Sequence, residues 1–410
     1  MTWEARTTYL SHMLYNYPAK TYALTAFICC LLLSGCGGAG GLLSAPKKWI
    51  GIEEDPQAPT ALTNLGSESL RLKKLWSDSV GASEMMYSRL QPHIADGLVY
   101  LAGADNRVEA WQLIDGKRIW SVKLQETISG GVNGGEQILA VGTENGLVIA
   151  LDLADGKEKW RTLLSSEVLA LSQVRHGVIV ARTSDSTIHA LDIGDGSVAW
   201  RASRSSPPLT LMGASQPRVA GSVVLVGFDD GKLVAFSLLD GEERWRATVS
   251  FPSGRSELER IADIDGEIAF QDDEVYAANF NGRTVAVDML TGRVKWARDL
   301  ASHTGVGADE SRVYVIGTND GVWALDRTTG ATLWRQDKLL YRSLTVPVPV
   351  GDYIVVGDYD GYLHWLSKKD GRLVGRHRVA RDAIDSVPVI IGQRVCVLAD
   401  NGSFTVLQQP

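Results

Sequence analysis

Six times in this chain, at intervals of 38 to 51 residues, a tryptophan stands four residues after an Asp-Gly or Thr-Gly step, and no other feature restricts the fold as tightly. The copies run from Asp115-Gly116 to Trp120, Asp155-Gly156 to Trp160, Asp195-Gly196 to Trp200, Asp240-Gly241 to Trp245, Thr291-Gly292 to Trp296 and Thr329-Gly330 to Trp334. A seventh step, Asp370-Gly371, keeps the spacing but has Gly375 in the tryptophan's place. Successive tryptophans lie 40, 40, 45, 51 and 38 residues apart. A period of about 40 residues with strand-like content marks a propeller, whose blades cannot bury their faces alone.

Each repeat reads as one four-stranded unit. Ile138 to Gly142 and Leu147 to Leu151 are apolar strands joined by an Asn145-Gly146 turn, and a second turn at Asp155-Gly156 leads into the strand carrying Trp160. Asx-Gly pairs suit tight hairpins because they accept positive φ. The tryptophan then lies on an outer strand and covers the seam to the neighbouring blade. The last repeat, from Val395 to Gln408, ends before any Gly-to-Trp hairpin, and the missing strand is present at the other end as Leu72 to Ser77. The expected fold is therefore all-β: an eight-bladed propeller of four-stranded antiparallel blades over residues 71–410. An N-terminal strand closes the C-terminal blade and removes its exposed edge.

The N-terminus points to export. Lys20 precedes an apolar run from Thr21 to Leu33, too short for a stable membrane span, and Leu33-Ser34-Gly35-Cys36 fits the bacterial lipobox. Residues 1–35 are read as a signal peptide, with Met13 as an alternative true start, and Cys36 as the lipidated first residue of the mature chain. Residues 36–70, rich in Gly, Pro, Ala and Ser, are read as a flexible tether. Gly37 rather than Asp after the cysteine points to the outer membrane, facing the periplasm. Cys29 and Cys30 leave with the signal, so Cys396 has no partner for an intramolecular disulfide and reads as a small core residue.

Chemistry-bearing patterns are scarce. The net charge is −7 with both signs interspersed, which gives no footprint for nucleic acid. None of the seven histidines has the spacing of a zinc site, and neither a nucleophile elbow nor a phosphate-binding loop occurs. His189 and His364 occupy equivalent strand positions and read as structural. Asp358 to Gly361 could suggest calcium, but it lacks the distant Glu of a calcium loop and reads as another hairpin turn. No cofactor, metal or catalytic residue is expected.

The stretch from Ala150 to Trp160 resembles the docking motif of quinone-dependent dehydrogenases, also eight-bladed. The adjacent cysteines those enzymes usually carry occur here only in the signal, and a shared scaffold does not transfer function. The lipobox with eight short blades is more similar to the BamB family, lipoproteins of the outer-membrane β-barrel assembly machinery. The likeness runs from about Leu75 to the end and is most specific in Leu75 to Gly81, Leu333 to Gln336 with Leu339 to Thr345, and Val355 to Trp365.

That resemblance implies a non-catalytic scaffold that helps β-barrel proteins enter the outer membrane. Its partners would be the periplasmic domains of BamA, the other subunits through BamA, nascent outer-membrane proteins, and the membrane through the lipid anchor. It also implies a BamA-binding surface made of two interblade loops. The first matches Leu209, Leu211 and Met212, the last standing where the family often has Arg. The second runs from Ser253 to Asp265 and supplies Arg260, Asp263 and Asp265. This second loop accounts for the longest interval between tryptophans, and loops on rigid scaffolds are where binding normally resides. In an extended stretch Asp263 and Asp265 point to one side, and both are expected at the surface. A scaffold for another envelope complex, or one binding a glycan, remains open on the residues alone.

Overall fold

A computed structural model describes residues 55–66, 70, 72–81, 90–205, 207, 209, 215–251, 255–256 and 260–409. Among them are thirty-two strands and no helix, arranged as eight four-stranded antiparallel sheets. Blades 1 to 7 take consecutive strands, over residues 93–123, 128–163, 168–203, 218–248, 269–298, 306–336 and 348–378. Blade 8 combines residues 389–408 with Lys73–Ser79, which pairs antiparallel with Ser403–Gln408. The expected eight blades and their N-terminal closure are both present.

The ring follows from where the apolar residues go. In blade 2 the second strand, Ile138–Thr143, is buried throughout, whereas in the fourth, Glu158–Leu163, only Trp160 is buried. Inner strands have neighbours on both faces and outer strands meet solvent, so hydrophobicity falls outward along each blade. Eight apolar clusters form, and each unites two successive blades. The cluster joining blade 8 to blade 1 sets Phe404 and Val406 against Val99 and Trp111, which completes the circle.

Each seam tryptophan acts on the blade that follows. Trp120 donates its Nε1–H to the Leu153 carbonyl at 2.9 Å, and its ring lies under Gly156. Gly156 is required there twice over: its φ is +73°, and a Cβ would come within 2.7 Å of that ring. The Asp155 carboxylate accepts the Lys157 N–H at 3.0 Å and fixes the turn. The same docking recurs from Trp160 to Ile193, Trp200 to Leu238, Trp245 to Met289, Trp296 to Arg327 and Trp334 to Lys368. Trp76, on the closing strand, docks on Leu113 in blade 1.

The compact unit begins at Gln57, ahead of the boundary at residue 71 that composition suggests. Leu62 packs into the core between blades 6 and 7, and the Thr60 N–H donates to the Leu340 carbonyl at 3.0 Å. Leu70 joins the core between blades 7 and 8, with its N–H on the Val374 carbonyl at 2.8 Å. Composition suggests a tether here because Pro and polar residues are frequent, but single leucines at the right intervals are enough to pin the chain.

A candidate partner-binding face on blades 3 to 5

The two loops singled out by sequence are the connections leaving the outer strands of blades 3 and 4, residues 204–217 and 249–268. Connections of this kind emerge on the same face as the hairpins between second and third strands, so the two lie on adjacent blades of one face. Leu209 is 41% exposed and Arg260 is exposed. Leu211 and Met212 lie outside the described residues, as do Cys36 and the signal peptide.

Asp263 and Asp265 differ from expectation. They are 1% and 8% exposed, not surface groups. The cause is Ile264 between them, which is fully buried in the core joining blades 4 and 5. It sits over Gly227, where a Cβ would come within 2.5 Å of its side chain, and its N–H reaches the Phe228 carbonyl at 3.3 Å. A segment drawn in by its central residue carries both flanking carboxylates inward. The expected common side does hold: oxygens of Asp263, Asp265 and Asp229 all lie within 4.8 Å of one another.

Carboxylates this close repel unless a cation is near. Arg182, at the end of the second strand of blade 3, supplies one. Its Nη2 donates to Asp229 Oδ1 at 2.5 Å and its Nη1 to the Gly227 carbonyl at 2.7 Å, while Ser186 Oγ donates to Asp229 Oδ2. Both charged side chains are buried, and removing one partner of such a pair typically costs about 3–5 kcal/mol. The three oxygens could also embrace a metal ion, but Arg182 already provides positive charge at Asp229.

The hairpin turn of blade 4 joins the two connections. Arg204, from the first, stacks over the Phe228 ring at 5.3 Å and donates to Asp230 at 3.1 Å. Asp229, between those two residues, meets the acids of the second connection. Phe228 to Asp230 therefore fixes both loops to one scaffold point. Sequence reasoning missed Arg182, Arg204 and Asp229. Arg182 and Asp229 are 47 residues apart, and only the stacking of adjacent blades brings them together.

Elsewhere, polar groups serve the scaffold. Asp358 binds Arg342 at 2.7 Å and His364 at 2.8 Å and accepts the backbone N–H of Tyr362, as a turn residue should. Burial outweighs the Asp358 carboxylate and holds the His364 pKa below its usual value. Burial likewise pushes the Cys396 thiol up to about 12, which makes it a poor nucleophile. All eight blades line a central channel of about 500 Å³, in which Arg218 pairs with Glu267 at 2.9 Å. Burial lowers the His93 pKa there to about 4, so its imidazole is neutral at pH 7.

Comparison with known proteins places this architecture. The family model described as outer membrane protein assembly factor BamB matches residues 104–336 and 308–409. BamB of Pseudomonas aeruginosa is 44% identical over 347 residues, covering 84% of this chain and 91% of that protein. BamB of Escherichia coli K12 is 37% identical over 339 residues, covering 80% and 86%. The crystal structure of BamB from Moraxella catarrhalis superposes with a TM-score of 0.76 at 29% identity, over 82% of this chain and all of that one. A quinohemoprotein alcohol dehydrogenase from Comamonas testosteroni shares the fold alone, with a TM-score of 0.64 at 14% identity. With the family model matched along most of the ring and relatives this similar over four-fifths of its length, the chain belongs to the BamB family of outer membrane protein assembly factors.

Proposed function

We propose that this assembly factor is a non-catalytic scaffold that binds the periplasmic domains of BamA through the face formed by residues 204–217 and 249–268. Anchored by acyl chains on Cys36 at the periplasmic side of the outer membrane, it would reach the other assembly subunits and nascent outer-membrane proteins through BamA. The observation that carries the reading is the blade 4 turn, which ties both connections to one rigid point. A preorganised face loses little entropy on binding, and an apolar side chain beside oriented charges is a common hot-spot arrangement. Of the contact residues expected from sequence, Leu209 and Arg260 are the exposed ones among the described residues.

The test uses those two residues. Asp263 and Asp265 are less suitable, since replacing either alters a buried charge cluster and mixes folding with binding. Leu209→Asp with Arg260→Glu should reduce BamA recovered by co-purification at least tenfold, with the melting temperature unchanged to within the roughly 0.5 kcal/mol typical of surface substitutions. Undiminished recovery moves the interface to another face. Mass spectrometry of the mature N-terminus tests the anchor separately, and an unmodified Cys36 rejects it.

A further inference from the structure

The outer edge of blade 7 is charged unlike the rest of the ring. From Lys368 to Arg381 the chain carries six Lys and Arg against one Asp, in a protein of net charge −7. Three of these cations are neutralised locally, Lys368 by Asp309, Arg372 by Asp370 and Arg378 by Asp360. Lys369, Arg376 and Arg381 have no ion pair among the described residues. Neither do Lys73 and Lys74, exposed on the closing strand of blade 8. Arg376 and Arg378 both lie against the Tyr362 ring, at 5.6 and 5.3 Å, which holds their guanidiniums along the edge. The Lys74 charge reaches His377 and adds to the burial that lowers its pKa, so the cations of the two blades form one patch.

The path of the chain says what this patch meets. The backbone passes Leu340 at Thr60, whose carbonyl accepts from Arg342 at 3.1 Å, and then crosses the blade 7 edge at Leu70 and Val374. The described chain therefore joins the ring at the junction of blades 6 and 7, close to the cations of the blade 7 edge. Between Cys36 and Gln57 lie about twenty residues, which span no more than about 70 Å when fully extended. An acyl anchor at Cys36 would hold this edge near the bilayer at high effective concentration. Lys and Arg near an anionic leaflet are attracted to it, while the remaining acidic surface is repelled.

We propose that the outer edge of blades 7 and 8, carrying Lys73, Lys74, Lys369, Arg376 and Arg381, docks on anionic phospholipid headgroups and sets the propeller edge-on to the membrane. This adds an orientation to the anchor reading above and rests on it for the reason the edge stays close. The contact is electrostatic, so it weakens as salt shortens the Debye length. It leaves blades 3 to 5, on the far side of the ring, turned away from the bilayer.

The test needs no acyl chain, which separates it from the fate of Cys36. The mature chain from Cys36 with Cys36→Ser keeps every strand of the ring. It is sedimented with vesicles of phosphatidylethanolamine and phosphatidylglycerol, and with neutral phosphatidylcholine vesicles. Binding only to the anionic vesicles, lost at high salt, is expected. Lys74→Glu, Lys369→Glu and Arg381→Glu together should weaken it at least tenfold. The same number of reversals at Arg201, Arg293 and Arg298, exposed on blades 3 and 5, should leave it within a factor of two or so of the parent protein, since charges beyond a Debye length are screened. Melting curves confirm that both variants are folded. Absence of binding to anionic vesicles, or an equal loss in the two triple variants, overturns the proposal, as does capture of an acidic protein by this edge without any vesicle binding.

Discussion

Seven seams of the ring are closed by a tryptophan and the eighth, between blades 7 and 8, by Leu70 against Gly375. The tryptophan needs a hairpin in the next blade, with a carbonyl for its Nε1–H and a glycine to clear its ring. Blade 8 has none, because its third and fourth strands come from opposite ends of the chain. A tryptophan at position 375 would have nothing to dock on. Gly375 instead leaves room for Leu70, whose Cβ would lie 2.9 Å from a Cβ placed there. The contrast separates two demands on one scaffold: repetition, met by a residue that recurs, and closure, met once by the segment that enters the ring.

The largest effect expected from this comparison comes from removing the closing segment. A chain beginning at Ser77 loses Leu70, Leu72, Trp76 and half of the closing strand, which exposes the edge of blade 8 and opens two seams. It should show no cooperative melting transition, whereas a chain beginning at Gln57 should melt with the full-length protein. Equal melting of all three would break the comparison. Single seams should cost less, and unequally. Trp245→Ala removes a buried ring and its bond to the Met289 carbonyl, for about 3–5 kcal/mol. Leu70→Ala removes a half-buried side chain, for about 1–2 kcal/mol. Urea midpoints check both, and equal losses would mean that the eighth seam is packed as tightly as the others.

The smallest effect tests electrostatics at the same seam. Asp400 lies in the turn of blade 8, where burial first and then Asp385 and Asp382 raise its pKa to about 8. A carboxyl raised above its unfolded value contributes stability below about pH 4, and that contribution is lost as pH rises through the folded value. Asp400→Asn should therefore match the wild type near pH 4 and become the more stable protein above about pH 8. Melting temperatures across that range decide it, and a gain that is largest in acid would reject the assignment.

Much of the fold was legible because each blade repeats one local rule. An Asx-Gly turn, an apolar strand and a tryptophan four residues past a glycine are all features of short segments. The missing tryptophan was visible too, but not its reason, since that depends on which strand neighbours Gly375 in space. The candidate face was legible only in part. The length of the second connection marked it as an insertion, and the Asp-x-Asp spacing placed both carboxylates on one side. Their burial was not visible, because it comes from the fit of Ile264 over Gly227. Arg182 and Asp229 left no local signal, since the first stands near a strand end and the second in a hairpin turn that look like several others.

The sequence by itself determined the number of blades, the order of strands and the strand that closes the ring, because these follow from turn chemistry and alternation over a few residues. Only the tertiary structure decided that Leu62 and Leu70 belong to the core of the ring, that the acidic pair is buried beside Arg182, and that the cations of blades 7 and 8 share one edge. Each of these depends on contacts between segments far apart in the chain. Such contacts are set by how twisted blades stack around an axis, which no short stretch of residues encodes.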